Sequence, residues 1–419
     1  MIDTLFSRAS LIARLLSGPV GPYLESYAQA LLGKGYKRGT VIERLRAANA
    51  FSEWIERGGV PLSAVDDRIV ARYVASFPRH PSQHRKIGRL PKIGLGMSEL
   101  LAHLRECGAV VLRPVSKTRT DVERALDDYD FHLESALGLT EETRQLYARF
   151  VRPFLADLAA AGSIDWTALT AETVVRYVLG GEASISRSAH RLQIPAIRSF
   201  LRFLVFKGHI PTGLERAIPS HRRWKHASLP EHLTRQETQQ AIDVWDSASL
   251  MGLRNRAVLL LLARLGLRAK EIRLLQLDNI DWRNGIIVLA AGKTRRERCL
   301  PLHPELGAAL SAYIRDGRPP TKHRFVFLSL VPPFGPLQSS SAVSYIARMS
   351  LVRTGVTKRS AGAHLFRHSA ATQMVRAGAT FKEVADVLGH RKLETTNLYA
   401  KLDLTALSRV ALPWPGGDQ

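Results

Sequence analysis

The sequence predicts a mainly α-helical, multi-domain protein whose last domain is α+β, with a small β-hairpin among its helices. Apolar residues such as Leu146, Phe150, Phe154 and Leu158 recur every four positions, which is the spacing of one buried helix face. Two short apolar runs around a charged turn, between Gly285 and Leu302, are typical of a hairpin. At roughly 100–200 residues per domain, the 419 residues allow two to four domains.

The charge balance points to a polyanionic partner. The chain has 60 Lys and Arg residues against 37 Asp and Glu residues, a formal net charge of +23, which is too large for an ordinary enzyme of small molecules. The two cysteines, Cys107 and Cys299, exclude a disulfide framework and fit a reducing compartment such as the cytoplasm. The longest apolar run, Ala257 to Ala263, is far shorter than the ~20 residues of a membrane-spanning helix, so we expect no membrane partner.

The first half of the chain predicts two copies of one helical unit, preceded by an N-terminal helix over Met1–Leu16. Equivalent residue types, such as Tyr27 and Tyr129, recur at offsets of 100 to 104 positions. The alternative is that any two amphipathic helical segments align this well. We place an N-terminal helical module at residues 1–112 and a second helical unit at residues 113–218.

Two basic stretches interrupt the helical pattern. The first has no acidic residue between Asp67 and Glu99, and the second, residues 219–228, has the Pro, Ser and charge content of a linker. A charge run is usually a solvated face, and the alternative is that these side chains lie against phosphates. The predicted phosphate contacts in the two stretches are Arg85, Lys86, Arg89, Lys92, Arg222, Arg223 and Lys225.

A last domain is predicted over residues 229–412, with a short tail at residues 413–419. Its start is marked by Thr234 and Glu237, which have the spacing of a capping box, and a second capping box starts its final helix. Between these points a buried helix breaks at Gly266, where the chain has to turn.

The turns of this domain expose several polar side chains. Arg268 stands at the start of a helix, and Lys293 lies at the tip side of the hairpin. After the hairpin the chain is predicted to be helical. The final helix ends at Gly389, with His390 exposed just past the turn.

These side chains suit chemistry on a phosphodiester, which needs fixed cations, an in-line nucleophile and a proton donor for the leaving oxygen. Arg268 and Arg367 suit the first task because a guanidinium grips two oxygens and stays charged. Arg367 follows His364 by three residues on one helical face, and Tyr399 lies nine residues after His390. Taken singly, each has a plainer explanation, such as a surface arginine or a packed aromatic ring.

Four segments carry a family resemblance: ARLGLRAKEIRLLQLDNIDW, AAGKTRRERCLPL, HLFRHSAAT and LGHRKLETTNLYA. In this order and at this spacing they resemble the tyrosine recombinases of the phage integrase family. The resemblance covers residues 229–412 and implies a mostly helical catalytic domain with a small sheet there. It further implies that residues 113–218 are the family's SAM-like core-binding domain. The less typical residues 1–112 are then a core-binding-like duplicate or an arm-binding module.

The resemblance also implies a role for each matching residue. Tyr399 attacks the scissile phosphate and forms a 3′-phosphotyrosyl bond, while the two arginines and His390 hold that phosphate. Lys293 is the general acid for the 5′ oxygen, His364 assists proton transfer from the tyrosine, and Glu271 orients the first arginine. The implied catalytic set is Arg268, Lys293, His364, Arg367, His390 and Tyr399, supported by Glu271 and by the DNA contacts Arg295, Arg296, Arg391 and Lys392.

The implied activity is that of a site-specific DNA recombinase or integrase, acting for a mobile element in the prokaryotic cytoplasm at the nucleoid. Its partners are double-stranded DNA with specific recombination sites and accessory recombinases. Four copies of the chain assemble as a homotetramer on two paired sites, and the reaction passes through a Holliday junction. No cofactor is expected, because a covalent intermediate keeps the bond energy. The pair His364 and His368 lacks a third ligand, so no metal is expected either. The apolar C-terminal segment TALSRVALPW is predicted to dock on a neighbouring subunit through Leu412 and Trp414.

Two alternatives remain open from the residues. The first is a non-catalytic, accessory DNA-binding member of a recombinase set, against which the intact catalytic set argues. The second is a type IB topoisomerase, which shares the chemistry but relaxes supercoils without partner sites. The short hairpin and the two-part helical N-terminal region favour the recombinase.

Overall fold

The computed structural model describes residues 2–77, 89–110, 120–159, 163–184, 187–219, 231–289, 297–358 and 361–390, and the backbone alone at residues 89–95, 181–184, 187 and 188. The chain divides into two compact units. One contains Met1–Leu112 together with His226–Gln419, and the other is Arg113–Lys225. Hydrophobic clusters lie in three separate stretches, at residues 2–110, 126–218 and 233–366. A further small cluster joins the last two helices.

The first stretch contains six α-helices among its described residues. They are α1 Ile2–Leu5, α2 Ala9–Ser17, α3 Leu24–Gly33, α4 Arg38–Arg57, α5 Asp67–Ala75 and α6 Arg89–Glu106. The predicted single N-terminal helix is wrong, because the chain breaks between α1 and α2. The break lets Phe6 enter the core with 5% of its surface exposed, and the extended backbone of Arg8 then starts α2.

The second unit repeats a helical pattern around an aromatic core. Its helices are α7 Asp121–Ser135, α8 Glu141–Leu158, α9 Ala171–Ser184, α10 Arg187–Phe206 and α11 Leu214–Ala217. Tyr129, Phe154 and Phe200 are buried at its centre. A capping box at Thr120 starts α7, and α8 continues through Pro153 without ending there.

In the last stretch, helices precede and follow a small sheet along the chain. The helices are α12 Arg235–Asp243, α13 Leu250–Arg264, α14 Ala269–Leu274, α15 Pro304–Ala312, α16 Ser340–Arg353, α17 Ala363–Arg376 and α18 Phe381–Leu388. The strands β1 Ile280–Asp281, β2 Ile286–Leu289 and β3 Arg298–Pro301 form an antiparallel sheet in the order β1-β2-β3. Leu289 pairs with Arg298, so the predicted hairpin is confirmed at its base.

Several local predictions for this domain are confirmed. Thr234 and Glu237 form the capping box of α12, and Thr380 with Glu383 forms that of α18. Gly389 ends α18 with a left-handed φ of 63°, as a helix stop requires. None of the helices in the described part of the chain is long and apolar enough to cross a bilayer.

The prediction that the chain is helical after the hairpin is wrong for residues 318–339. This segment is irregular, with isolated bridges from Phe325 to Gln276 and from Leu328 to Pro336. Five prolines lie in it, and proline lacks the amide that helix hydrogen bonding requires.

Candidate active site

The break after α13 places Arg268. Gly266 has a φ of 59°, and a Cβ atom on it would lie 2.5 Å from Leu388 Cδ2. A glycine is therefore needed both for the left-handed turn and for the close approach of the end of α18. The chain turns back at this point, and Arg268 becomes the N-cap residue of α14.

Glu271 holds Arg268 by two hydrogen bonds. Its Oε2 accepts from the backbone amide of Arg268 at 2.8 Å, and its Oε1 accepts from Arg268 Nη1 at 2.8 Å. Burial favours the neutral carboxyl, but the bonded amide and the charges of Arg298 and Arg268 outweigh it and lower the pKa of Glu271. Glu271 is therefore ionised at neutral pH, while 40% of the Arg268 side chain remains exposed.

Arg367, on α17, is held by the backbone. The residue is 4% exposed, its Nη1 donates to Gly266 O at 2.6 Å, and its Nη2 donates to Leu388 O at 2.8 Å. Burying a guanidinium is costly unless its N–H groups are hydrogen-bonded, and these two carbonyls meet that requirement. The turn after α13 and the end of α18 thus both fix Arg367.

Arg298 of β3 enters the same cluster, although it was not among the predicted site residues. Its Nη2 donates to Glu271 Oε1 at 2.6 Å and its Nη1 donates to Val387 O at 2.6 Å. The signal available in the sequence was the two-residue period of the strand, which places Arg298 on the same face as the buried Leu300.

Three successive carbonyl groups at the end of α18 therefore each accept from a different arginine. Val387 O accepts from Arg298, Leu388 O from Arg367, and Gly389 O from Arg268 Nη2 at 2.8 Å. We call Val387, Leu388 and Gly389 the carbonyl row. The last carbonyls of a helix lack partners within the helix and carry the negative end of its dipole, so they attract cations.

Gly389 is needed in the carbonyl row for a second reason besides its positive φ. A Cβ atom there would lie 2.8 Å from Arg298 Nε and 2.9 Å from its Cζ. The guanidinium of Arg298 therefore packs directly on the backbone of Gly389, and any other residue would displace it.

His364 and His368 lie against each other on α17, with ring centroids 4.2 Å apart and an interplanar angle of 73°. Burial, followed by the charges of Arg367 and Arg268, lowers the pKa of His364. Burial, followed by the neighbouring His364 and Arg367, lowers the pKa of His368 to about 4. The neutral form of both imidazoles is favoured at neutral pH.

His390 is partly buried, so the prediction that the turn exposes it is wrong. The left-handed Gly389 turns the chain back over α18, and the amide of His390 donates to Ala385 O at 2.9 Å. Burial, followed by the charges of Arg367 and Arg268, lowers the pKa of His390 to about 4. The imidazole thus lies within the field of both arginines.

A cavity of about 570 Å³ opens beside the cluster, between β3 and the end of α18. Arg298, Gly389 and His390 contribute to its wall. Among the described residues that line it, Arg298 is accompanied by the acidic Glu297 and Asp386, so the cavity borders the arginine cluster at Arg298. Within the described ranges, no group of three or more His, Cys, Asp or Glu side chains could hold a metal ion.

The structure brings Arg268, Glu271, His364, Arg367 and His390 together around the carbonyl row. The side chains of the other predicted residues lie outside the described residues. These are Lys293, Tyr399, Arg85, Lys86, Arg89, Lys92, Arg222, Arg223, Lys225, Arg295, Arg296, Arg391 and Lys392, together with Leu412 and Trp414 near the C-terminus.

Residues 231–405 match the model of the phage integrase family, and residues 126–208 match that of the phage integrase N-terminal SAM-like domain. A protein of Sinorhizobium fredii named integrase/recombinase y4rA is 34% identical over 409 residues, which are 97% of this chain and 98% of the relative. The chain belongs to the phage integrase family. The tyrosine recombinase XerC of Lacticaseibacillus casei is 27% identical over 284 residues, covering 66% of this chain and 93% of XerC. The chain is thus a tyrosine recombinase, an enzyme of DNA cleavage and rejoining.

Solved structures show the same fold. The XerH recombinase in a post-cleavage complex with palindromic difH substrate has a TM-score of 0.55 at 17% identity, covering 71% of this chain and 98% of XerH. A λ integrase tetramer bound to a Holliday junction has a TM-score of 0.51 at 17% identity, covering 73% of this chain and 86% of that integrase. The predicted fold class, a mostly helical multi-domain recombinase with a small sheet, is confirmed.

Proposed function

We propose that the chain is a site-specific recombinase that cleaves and rejoins double-stranded DNA through Tyr399. The observation that carries the proposal is the convergence of Arg268 and Arg367 with His364 and His390 at the end of α18. Two guanidiniums offer positive charge to a phosphate, and two neutral imidazoles can exchange protons or donate a hydrogen bond. Family membership supplies the expectation that Tyr399 is the nucleophile.

In the proposed reaction, the phenolic oxygen of Tyr399 bonds to the scissile phosphorus and the bond to the 5′ oxygen breaks. His364 can take up the phenolic proton because its lowered pKa keeps it neutral. Lys293 gives a proton to the leaving 5′ oxygen, and the arginines with His390 compensate the charge on the phosphate. The phosphotyrosyl bond keeps the energy of the broken one, so the free 5′-hydroxyl of another strand can rejoin without ATP.

The proposed division of labour follows the matched regions. Residues 229–412 catalyse, residues 113–218 bind the core of the DNA site, and residues 219–228 link the two, with residues 413–419 as a tail. Arginines and lysines of the linker and hairpin are expected to contact phosphates, as the high net charge of the chain suggests.

We further propose that the chain acts as a homotetramer on two paired sites, through a Holliday junction and for a mobile element. The fold shared with the junction-bound λ integrase tetramer supports the assembly, and the name of the Sinorhizobium relative supports an integrase role. Leu412 and Trp414 of the C-terminal segment TALSRVALPW would anchor each subunit on its neighbour. The partners would be specific DNA sites and accessory recombinases in the prokaryotic cytoplasm.

The test begins with selection of binding sites from random duplexes by the Tyr399→Phe chain, which binds without cleaving. The intact chain is then given two plasmids that carry the selected site. Recombinant plasmids are the expected result. Relaxed plasmid without exchange would indicate a topoisomerase, and binding without either product would indicate an accessory DNA-binding protein. Either of these results would contradict the proposal.

A further inference from the structure

Arg298 lies at the point where three elements of the site meet. It comes from β3 at the base of the hairpin, it shares Glu271 Oε1 with Arg268, and it donates to Val387 O at the end of α18. Only 13% of its side chain is exposed, and its Nε and Cζ pack against Gly389. Both of its Nη atoms donate to acceptors of the protein, one to a carboxylate and one to a backbone carbonyl.

Glu271 connects Arg298 to the candidate catalytic arginine. One carboxylate oxygen accepts from both guanidiniums, at 2.8 Å from Arg268 and 2.6 Å from Arg298. With both arginines present, one negative charge is shared between two positive ones, and Arg268 keeps charge for a phosphate. Without Arg298, the carboxylate would pair with Arg268 alone and compensate more of that charge.

We propose that Arg298 is a positioning residue for the cleavage reaction. Through Glu271 and the carbonyl row, it fixes the orientation of Arg268 and leaves the positive charge of Arg268 available to the phosphate. This inference rests on the proposed function. A lysine at this position would keep the charge but lose the paired, divergent donors that reach Glu271 and Val387 at the same time.

The test compares single-turnover cleavage of two nicked duplexes that carry the selected site, one with a normal scissile phosphate and one with a neutral methylphosphonate. On the phosphate, Arg298→Gln is expected to slow cleavage by about 10–100-fold, with the Kd for DNA unchanged. On the methylphosphonate, the penalties of Arg298→Gln and Arg268→Gln should both shrink, because the charge that Arg268 compensates is absent. Arg298→Lys is expected to recover only part of the rate.

The matched control is Arg256→Gln, which removes an arginine bonded to Asp243 and close to Glu305, outside the arginine cluster. It should leave cleavage unchanged. Equal penalties for Arg298→Gln on both duplexes would indicate a merely structural role and overturn the proposal. So would additive penalties in the Arg268→Gln, Arg298→Gln double variant, because residues acting through one group are not additive. If Tyr399 chemistry itself were wrong, the unaltered chain would cleave neither duplex, which distinguishes the two failures.

A second, independent inference concerns the N-terminal module, which lies outside both matched family regions. Its helices α3 and α4 are followed by a short 3₁₀ turn and then by α5 and α6. In the same order, α7 and α8 are followed by a 3₁₀ turn and then by α9 and α10. The 3₁₀ turns are Leu62–Ala64 and Trp166–Ala168.

The contacts inside the N-terminal module also recur inside residues 113–218. Tyr27 Oη donates to Gly96 O at 3.3 Å, and Tyr129 Oη donates to Ala196 O at 3.4 Å. The rings of Phe51 and Tyr73 are 5.0 Å apart, and those of their counterparts Phe154 and Tyr177 are 4.9 Å apart.

The ends of the last helices match as well. Gly108 and Gly208 have φ values of 71° and 74°, and each is followed two residues later by a buried branched side chain, Val110 or Ile210. Contacts that recur in chain order at offsets of 100 to 104 residues are not expected of two unrelated bundles. These repeated contacts support the interpretation of the N-terminal module as a core-binding-like duplicate of residues 113–218.

The charges of the two copies differ. Residues 1–112 contain 16 basic and 9 acidic side chains, whereas residues 113–218 contain 14 basic and 13 acidic ones. Exposed arginines occupy matched positions in both copies, at Arg46 and Arg149 and at Arg72 and Arg176. We propose that residues 2–110 form a second duplex-DNA-binding domain, which contacts the phosphate backbone and extends the DNA site bound by the chain.

The test uses the full Tyr399→Phe chain, bound to a long duplex that carries bromodeoxyuridine, followed by photocrosslinking and peptide mapping. Crosslinked peptides from residues 2–110 are expected alongside peptides from the second copy. An Arg46→Gln, Arg72→Gln variant can no longer neutralise phosphates at these positions. The slope of log K against log salt should therefore become shallower by about 0.9 for each phosphate that the variant fails to bind.

The matched variants are Arg149→Gln with Arg176→Gln in the second copy, and Arg315→Gln, an exposed arginine paired with Asp316, serves as the inert control. Crosslinks confined to residues beyond 112, or a salt slope unchanged by the first-copy variant, would overturn the proposal and leave a protein-binding role for the module. This assay measures DNA binding and does not require cleavage. Its result therefore does not depend on whether the proposed recombination occurs.

Discussion

The two candidate phosphate-binding arginines bond to neighbouring carbonyls at the end of α18, yet they are held in different ways. Arg367 is buried and bonded to two backbone carbonyls, whereas Arg268 is 40% exposed and is bonded to one backbone carbonyl and to a carboxylate that it shares with Arg298. Arg367 is thus held by backbone groups within the core, whereas the side-chain partners that hold Arg268 can be altered by mutation. The comparison predicts that Arg367 contributes to both folding and cleavage, and that Arg268 contributes mainly to cleavage.

The largest effect is expected for Arg367→Gln. Two hydrogen bonds from a buried charged group are lost, so the free energy of unfolding should fall by about 3 kcal/mol. Single-turnover cleavage should fall by about 10³-fold. Urea unfolding and cleavage of a nicked duplex would measure the two effects. An unchanged unfolding midpoint would contradict the prediction that Arg367 contributes to folding.

Arg268→Gln should separate the two properties. Cleavage is expected to fall by about 10²–10³-fold, because a charge on the phosphate is no longer compensated. The free energy of unfolding should change by less than about 1 kcal/mol, since the side chain is partly exposed. Destabilisation equal to that of Arg367→Gln would show that the two arginines are not held differently.

A smaller effect is expected for Glu271→Gln, which keeps a hydrogen-bond acceptor but removes the shared negative charge. Cleavage should fall by about tenfold as Arg268 loses its fixed orientation. Glu237→Gln is the matched control, because Glu237 also occupies a capping box and pairs with a cation, Lys358, elsewhere in the domain. Both variants should lose similar stability, and a cleavage defect in the control would contradict the assignment.

The smallest effect concerns pH. The pKa of His368 is about 4 in the folded chain, below its ordinary value of 6.5. The unfolded chain therefore takes up this proton first, and stability is lost as the pH falls from 6.5 towards 4. His368→Asn should weaken this dependence in urea unfolding at pH 7 and pH 5. An equal or steeper loss in the variant would argue against the buried, neutral imidazole.

Features encoded by neighbouring residues were predictable from the sequence. The capping boxes at Thr234 and Thr380, the glycine stops at Gly266 and Gly389 and the base of the hairpin each depend on residues within one turn or one strand pair. Local hydrogen bonding and allowed backbone angles decide such features, so a short stretch of sequence is sufficient.

Features that depend on distant residues were not predictable in the same way. The hydrogen bonds of Arg298 to Val387 and of Arg268 to Gly389 join residues 89 and 121 positions apart. The partial burial of His390 follows from the same packing, since the left-handed turn directs it over α18 towards the arginines. The carbonyl row therefore emerges only when the hairpin, α14, α17 and α18 are packed together.

The most direct test of the central claim is to trap the covalent intermediate on a nicked suicide duplex and to map the modified peptide by mass spectrometry. The expected peptide contains Tyr399 linked to the 3′ phosphate, Tyr399→Phe should give no adduct, and EDTA should have no effect. An adduct on another residue, or cleavage that EDTA abolishes, would contradict the claim that Tyr399 and the arginines at the carbonyl row break the DNA strand.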